Sequence, residues 1–199
     1  IARRAEQYTG ILDVCFENAD IPCFMSKKTD ISTYRAVKLI YTAYAVCTGG
    51  WRGRDVISYL KCGMSGIGQT DCDMLELYVT RWRLNGRRFT DDTGWNMNPD
   101  GYTDRPSPRA EEILARVEAA RRTLVDQLLP LQEGCRKQSV QVHCRVLYEF
   151  LVSLRVEEQL AGEAARARAA GRVGEGDELS RLYATILHAL DELADILRD

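Results

Sequence analysis

The chain has 199 residues, 45% of them hydrophobic, and a formal net charge of −2 from 27 basic and 29 acidic side chains. That size and apolar content provide a buried core in one large domain or two small ones and exclude a globally disordered chain. The balanced charge excludes a strongly basic nucleic-acid-binding module while leaving room for a local patch. Five basic residues are lysines, Lys27, Lys28, Lys38, Lys61 and Lys137, so arginine dominates. That suits bidentate phosphate or carboxylate contacts, and codon bias alone would give the same count.

Cysteines stand at Cys15, Cys23, Cys47, Cys62, Cys72, Cys135 and Cys144, an odd number with no C-x-x-C pair. This argues against a disulfide framework or a zinc site and fits a reduced, cytoplasmic compartment. The N-terminus is charged and lacks the apolar run of a signal peptide. The most apolar segment, Val37 to Val46, contains Lys38 and Thr42 and is too short to span a bilayer. The first residue is Ile rather than Met, so the chain is expected to be a trimmed or excised piece of something longer.

Helical periodicity begins at residues 5–18, with Tyr8, Ile11, Leu12, Cys15 and Phe16 on one stripe. Ile21-Pro22-Cys23-Phe24 then predicts a short extended segment, because proline disfavours helix in the residue before it. Ser32 or Thr33 is placed to cap a helix running to about Thr48 that is apolar nearly all round, hence central, and stopped by Gly49-Gly50. A helix over 53–62, a glycine turn over 63–68 and a helix over 71–84 follow, the last burying Met74, Leu75, Tyr78, Val79 and Trp82. Residues 85–106 show no periodicity, and a loop of that length is usually functional or disordered.

Ser107-Pro108, with Glu111 and Glu112 close behind, predicts a helix start, and its apolar stripe from Ile113 runs to Pro130. Further helices are expected over 139–154 and 156–170, with a break from Gly171 to Gly176. A last helix over 177–198 turns Leu179, Leu182, Tyr183, Ile186, Leu190, Leu193 and Leu197 inward. The fold class is therefore mainly α, a multi-helix insertion-type domain with at most one short strand near 21–25.

Catalytic patterns are missing. There is no phosphate-binding G-x-x-x-x-G-K-[ST] loop and no G-x-S-x-G elbow. Nucleases of the restriction-enzyme type need an acid two residues before a lysine, and those positions hold Met25, Ser26, Ala36, Tyr59 and Cys135. Two histidines, His143 and His188, leave little for a zinc or acid–base site. His143 and Cys144 do not make a nucleophile pair, since adjacent helical positions point about 100° apart. Asp71, with Asp73 nearby, reads as a helix cap or dipole partner, and Asp91-Asp92 as a solvated loop.

Two features remain as candidate contacts. Arg81, Arg83, Arg87 and Arg88 fall within eight residues with no acid among them, interleaved or followed by Trp82, Phe89 and Trp95. That pattern fits nucleic-acid contact; a solvated helix end fits it as well, and Asp91, Asp92, Asp100 and Asp104 follow closely enough to neutralise the patch. Gly66-Ile67-Gly68 lies between two helices, where backbone N–H groups and a helix N-terminus can hold a DNA phosphate. A tight interhelical turn would also use glycine there.

The order of these motifs carries a resemblance. Ile21-Pro22-x-Phe24 closes a helix; then come a buried helix and Gly49-Gly50-Trp51. Asp55-Val-x-x-Tyr-Leu-Lys-x-Gly63, Gly66-Ile67-Gly68 and Asp73-x-Leu-Glu-x-Tyr-Val79 complete the series. The chain resembles the AddB family (also called RexB), the B-subunits of bacterial ATP-dependent helicase–exonucleases. More distantly, it is similar to superfamily-1 DNA helicases. In those helicases a Gly-Ile-Pro segment follows a motor-domain helix and a helical insertion, 2B, begins soon after. Here Asp20 stands at the glycine position. The resemblance covers about residues 5–84 closely and 107–154 loosely, and the later helices agree only in being helical.

What the resemblance implies follows from the family. Residues 1–50 would end a motor-like domain leading into the insertion, and 51–199 would form the 2B-like insertion. Gly66, Ile67 and Gly68 match a turn that contacts duplex DNA in the helicases. The full protein would form a heterodimer with its helicase–nuclease partner, the A-subunit. It would bind duplex or single-stranded DNA during recombinational repair of double-strand breaks, in a bacterial cytoplasm. ATP, Mg2+ and an iron–sulfur cluster would lie outside this segment. Two expectations stand. One is a non-catalytic helical part that positions DNA and neighbouring domains, through Gly66–Gly68 and the four arginines. The other is a purely structural module packed against the helicase–nuclease partner.

Overall fold

The computed structural model describes residues 8–22, 30–103, 105–137 and 139–197. Among them are eight α-helices and no strand, so the chain is mainly α. Ile21 and Pro22 belong to no regular element, and the rest of the segment expected to be extended lies outside the described residues.

Two compact units divide at Thr33/Tyr34. The first holds α1 (Thr9–Asn18). Its end is a left-handed turn: the N–H groups of Ala19 and Ile21 both donate to the Phe16 carbonyl, at 3.2 and 2.9 Å, and Asp20 has φ 51°. Glycine usually occupies that position after a helix. Asp20 thus adopts the left-handed conformation that glycine would supply. Farther on, Ile31–Thr33 makes a 3₁₀ turn in which the Asp30 carboxylate accepts the Ser32 N–H at 2.9 Å. Ser32 and Thr33 therefore belong to this turn and do not cap the following helix, whose N-cap is Tyr34 with no side-chain bond.

The second unit contains α2 (Arg35–Gly49), α3 (Gly53–Lys61), α4 (Gln69–Trp82), α5 (Ala110–Cys135), α6 (Val140–Ser153), α7 (Val156–Ala169) and α8 (Val173–Ile196). α2 buries one face, Ala36, Leu39, Ala43, Val46 and Cys47, at the spacing of a one-sided helix, and Tyr41 on the other side is exposed. It ends at Gly50, which has φ 72°. α2 packs on α3 and α5, and α4 packs on α3 and α5.

α5 is the spine: 26 residues, about 39 Å long, touching α2, α4 and α6. It begins two residues later than the Ser107-Pro108 signal implies, because 108–109 form a turn, and the Ser107 N–H is held by Asp100 at 2.5 Å. It also continues past Pro130, which faces solvent. An interior proline costs about 3 kcal/mol. Beyond it Leu131 is buried, and Gln132 accepts the Trp51 indole N–H at 3.2 Å and donates to the Cys47 carbonyl at 3.3 Å. Burial at about 2 kcal/mol and two hydrogen bonds at about 1 kcal/mol each offset the proline.

α7 and α8 form a helical hairpin linked by residues 170–172, and both pack on α6. The expected break over 171–176 is shorter because Gly174 and Gly176 lie inside α8, with Gly176 buried against α7. Leu179 and Leu182 are buried as expected and Tyr183, Ile186 and Leu190 are half-buried. Leu193 and Leu197, expected inward, are exposed. No helix among the described residues is long and apolar enough to cross a membrane.

Candidate functional site

The glycine turn between α3 and α4 is held from three helices. Arg35 of α2 donates to the carbonyls of Cys62 (2.9 Å) and Gly63 (2.5 Å). Gln127 of α5 donates to Ser65 (2.9 Å), and Gln159 of α7 to Met64 (3.2 Å). The Cys72 thiol donates to the Ile67 carbonyl at 3.6 Å. These carbonyls are used inside the protein, while Gly66 and Gly68 are exposed and Ile67 is half-buried.

The two glycines are not equivalent. Gly66 has φ 73°, the left-handed region; Gly68 has φ −60° and is the N-cap of α4 with no side-chain cap bond. Only the first position needs glycine for its backbone. The first N–H groups of α4 thus lack a side-chain acceptor, the condition for anion binding at a helix start. Around them, however, Asp71 is bound by Arg116 at 2.7 Å, and Asp73 accepts from the Gln69 amide at 2.8 Å. Asp71 is an ion-pair partner in the first turn rather than the cap. The carboxylates lower the local pull on a phosphate.

The arginines stand at the other end of α4, which has 14 residues and is about 21 Å long. The structure therefore does not bring Gly66–Gly68 and the arginine run together. Arg81 donates to the Pro99 carbonyl and holds the following loop. Arg83 is the left-handed C-cap of α4, with φ 50°. Arg87 and Arg88 are exposed on a 3₁₀ turn, Gly86–Phe89. Among the described residues no carboxylate pairs with Arg83, Arg87 or Arg88.

The interleaved aromatics are core, not a stacking surface. Phe89 and Trp95 are buried, packed edge-on at 5.4 Å, with Trp51 against Phe89 and Tyr78 against Trp95. Trp82 is half-buried, its indole donating to the Asn98 carbonyl at 3.1 Å and its ring meeting the exposed Tyr102. The loop after α4 is thereby given a single course.

Its main anchor is a residue that periodicity misassigns. Arg121 sits on the buried stripe of α5 between Val117 and Leu124, only 4% exposed. It donates to both oxygens of Glu118 (2.7 and 2.6 Å) and to the carbonyls of Phe89 and Asp91, and lies 5.6 Å from the centre of the Trp95 ring. Glu118 also accepts from Arg122 and the Trp95 N–H. Burial alone would push the Glu118 carboxyl up; the bonds from Arg121, Arg122 and Trp95, with the Arg121 charge, outweigh it and hold the carboxyl at about 2. The legible signal was an arginine at a core position of an apolar stripe, which demands a buried acid or carbonyls nearby.

The remaining candidates have structural occupations. His143 Nε2 lies 2.7 Å from the Lys137 carbonyl. Burial pushes the Cys47 thiol up to about 12 and raises those of Cys62, Cys72, Cys135 and Cys144. Among the described residues no three His, Cys, Asp or Glu side chains gather that could hold a metal ion.

No family model matches the chain. Among curated proteins, the B-subunit of the ATP-dependent helicase/deoxyribonuclease from Ruminiclostridium cellulolyticum is 26% identical over 99% of this chain. Its namesakes from Clostridium botulinum (strain Loch Maree / Type A3) and Acetivibrio thermocellus are each 26% identical over 96%. The chain spans 17% of the length of each of these relatives. Along nearly its whole length, the chain is thus homologous to one segment of the B-subunits of ATP-dependent helicase/deoxyribonucleases.

Proposed function

We propose that this chain is a non-catalytic helical part of the B-subunit of a helicase/nuclease that processes DNA double-strand breaks, positioning DNA and neighbouring domains in recombinational repair. The full protein would work in the bacterial cytoplasm with its helicase–nuclease partner, the A-subunit. ATP, Mg2+ and an iron–sulfur cluster would be held by other parts of the complex. Residues 1–50 would lead from a motor-like domain into the 2B-like insertion, 51–199. On this view the passage at Gly50 is continuous rather than a tether, in keeping with the packing of α2 on α3 and α5.

What carries the DNA role is the exposed run of Arg83, Arg87 and Arg88, held by an anchored loop and without carboxylate partners among the described residues. Guanidinium groups in that setting suit phosphate contact without base reading. Gly66 and Gly68, at the start of α4, offer a second, weaker phosphate contact beside two carboxylates, Asp71 and Asp73. In the complete heterodimer, replacing the three arginines by glutamine is expected to weaken binding to duplex DNA ends, with a shallower salt dependence. Unchanged affinity at low salt would remove the DNA role.

A second reading, a module packed against the helicase–nuclease partner, is favoured by apolar surface on α6 and α8. Tyr148, Val152, Leu193 and Ile196 are exposed there, and a groove of about 540 Å³ between α6, α7 and α8 is lined by Tyr148, Leu160, Leu179 and Tyr183. A chain that binds no DNA but associates with that partner would decide for it.

A further inference from the structure

Two loops distant in sequence are fastened together at the C-terminal end of α4. The Gly53 N–H donates to the Asn85 side-chain oxygen at 2.8 Å, and the Gly86 N–H donates to the Trp51 carbonyl at 2.8 Å. The joint is close: a Cβ added at Gly53 would lie 2.6 Å from the Leu84 carbonyl. Trp51, with φ 58°, is buried and stacks on Phe89 at 6.1 Å. With Trp51 and Gly53 both buried, Arg52 between them is left exposed, beside the loop that carries Arg83, Arg87 and Arg88.

The charge there is one-sided. Arg52, Arg83, Arg87 and Arg88 have no carboxylate partner among the described residues, and all four are exposed. Arg54 faces only its neighbour Asp55, at 3.4 Å. The charges of Asp91 and Asp92 act on the buried Arg121. Five arginines thus gather on two loops against Asp55, Asp91 and Asp92, and an anionic partner relieves the repulsion that remains.

Resting on the DNA reading above, we infer that loops 50–54 and 83–88 form one phosphate-backbone contact surface, with Arg52 and Arg54 joining Arg83, Arg87 and Arg88. The surface is built at the joint and not at the glycine turn. It holds a nucleic acid by its phosphates, so it discriminates little between sequences.

The test is anisotropy of a fluorescein-labelled DNA duplex with a single-stranded tail, titrated with the complete heterodimer across a salt series. Three proteins are compared: unchanged, Arg52→Gln/Arg54→Gln and Arg87→Gln/Arg88→Gln. Each pair is expected to weaken binding and to lower the log–log salt slope by about 2, roughly one per arginine. Equal weakening by both pairs supports a joint surface. If only the Arg87/Arg88 pair matters, the two-loop surface is overturned while the DNA role stands. If neither pair weakens binding at any salt concentration, both are overturned.

Discussion

At the N-terminal end of α4, Asp71 is paired with Arg116, Asp73 accepts from Gln69, and the glycine turn is tied by its carbonyls to three helices. At the C-terminal end, four exposed arginines from two loops lack partners among the described residues, and the backbone beneath them is pinned by Arg121. The first end has the family-like motif and a balanced surface. The second has no motif and an unbalanced one. A short pattern reports local backbone geometry; an unbalanced surface reports what the protein leaves for a partner.

The largest loss is expected at Arg121, which anchors the arginine-bearing loop. Arg121→Ala would leave the Glu118 carboxylate and two loop carbonyls without their donor, at a cost of about 3 kcal/mol. Urea unfolding followed by tryptophan fluorescence measures it, since Trp95 sits against this group. A loss below about 1 kcal/mol would mean the arginine-bearing loop is held by something else.

The same anchor predicts an acid dependence. Glu118 is held at about 2 against an ordinary value of 4.5. The folded form therefore binds its proton later than the unfolded form, and the stabilisation is complete above about pH 5 and lost as pH falls toward 2. On the order of 2–3 kcal/mol is involved. Glu118→Gln should flatten that part of the stability–pH curve; an unchanged slope would place the effect on other carboxylates.

Gly53→Ala probes the joint itself. The new methyl would meet the Leu84 carbonyl at 2.6 Å and Val79 at 3.1 Å, so a loss of about 2 kcal/mol is expected in thermal or urea unfolding. A neutral result would show that the two loops part easily.

The smallest effects belong to the glycine turn. Gly66→Ala has open space but a left-handed backbone, and should cost about 1 kcal/mol. Gly68→Ser meets only Asp71, at 3.6 Å, and places a better cap on α4, so stability should rise by a few tenths of a kcal/mol. Equal losses at both positions would contradict their different φ angles.

Much of the helical plan was legible in the chain. Apolar spacing located α2 to α7 within a few residues, and Gly50 marked the end of α2. The misplacements have physical causes. Pro130 does not stop α5 because Leu131 and Gln132 are tied to the core. Gly174 and Gly176 do not break α8, since Gly176 packs against α7. Phe89 and Trp95 looked like companions of the arginines because a linear pattern cannot say which side of a loop faces inward.

Periodicity and glycine placement are local properties, set by 3.6 residues per turn and by the left-handed backbone, and from them the sequence alone determined a mainly α protein with a glycine turn between two helices. Which arginines stand free depended on contacts between distant residues. Gly53 meets Asn85 across 32 positions, and Arg121 meets Phe89 across another 32. Only tertiary packing sets such meetings, because burial and hydrogen-bond satisfaction are decided by what arrives from elsewhere in the chain.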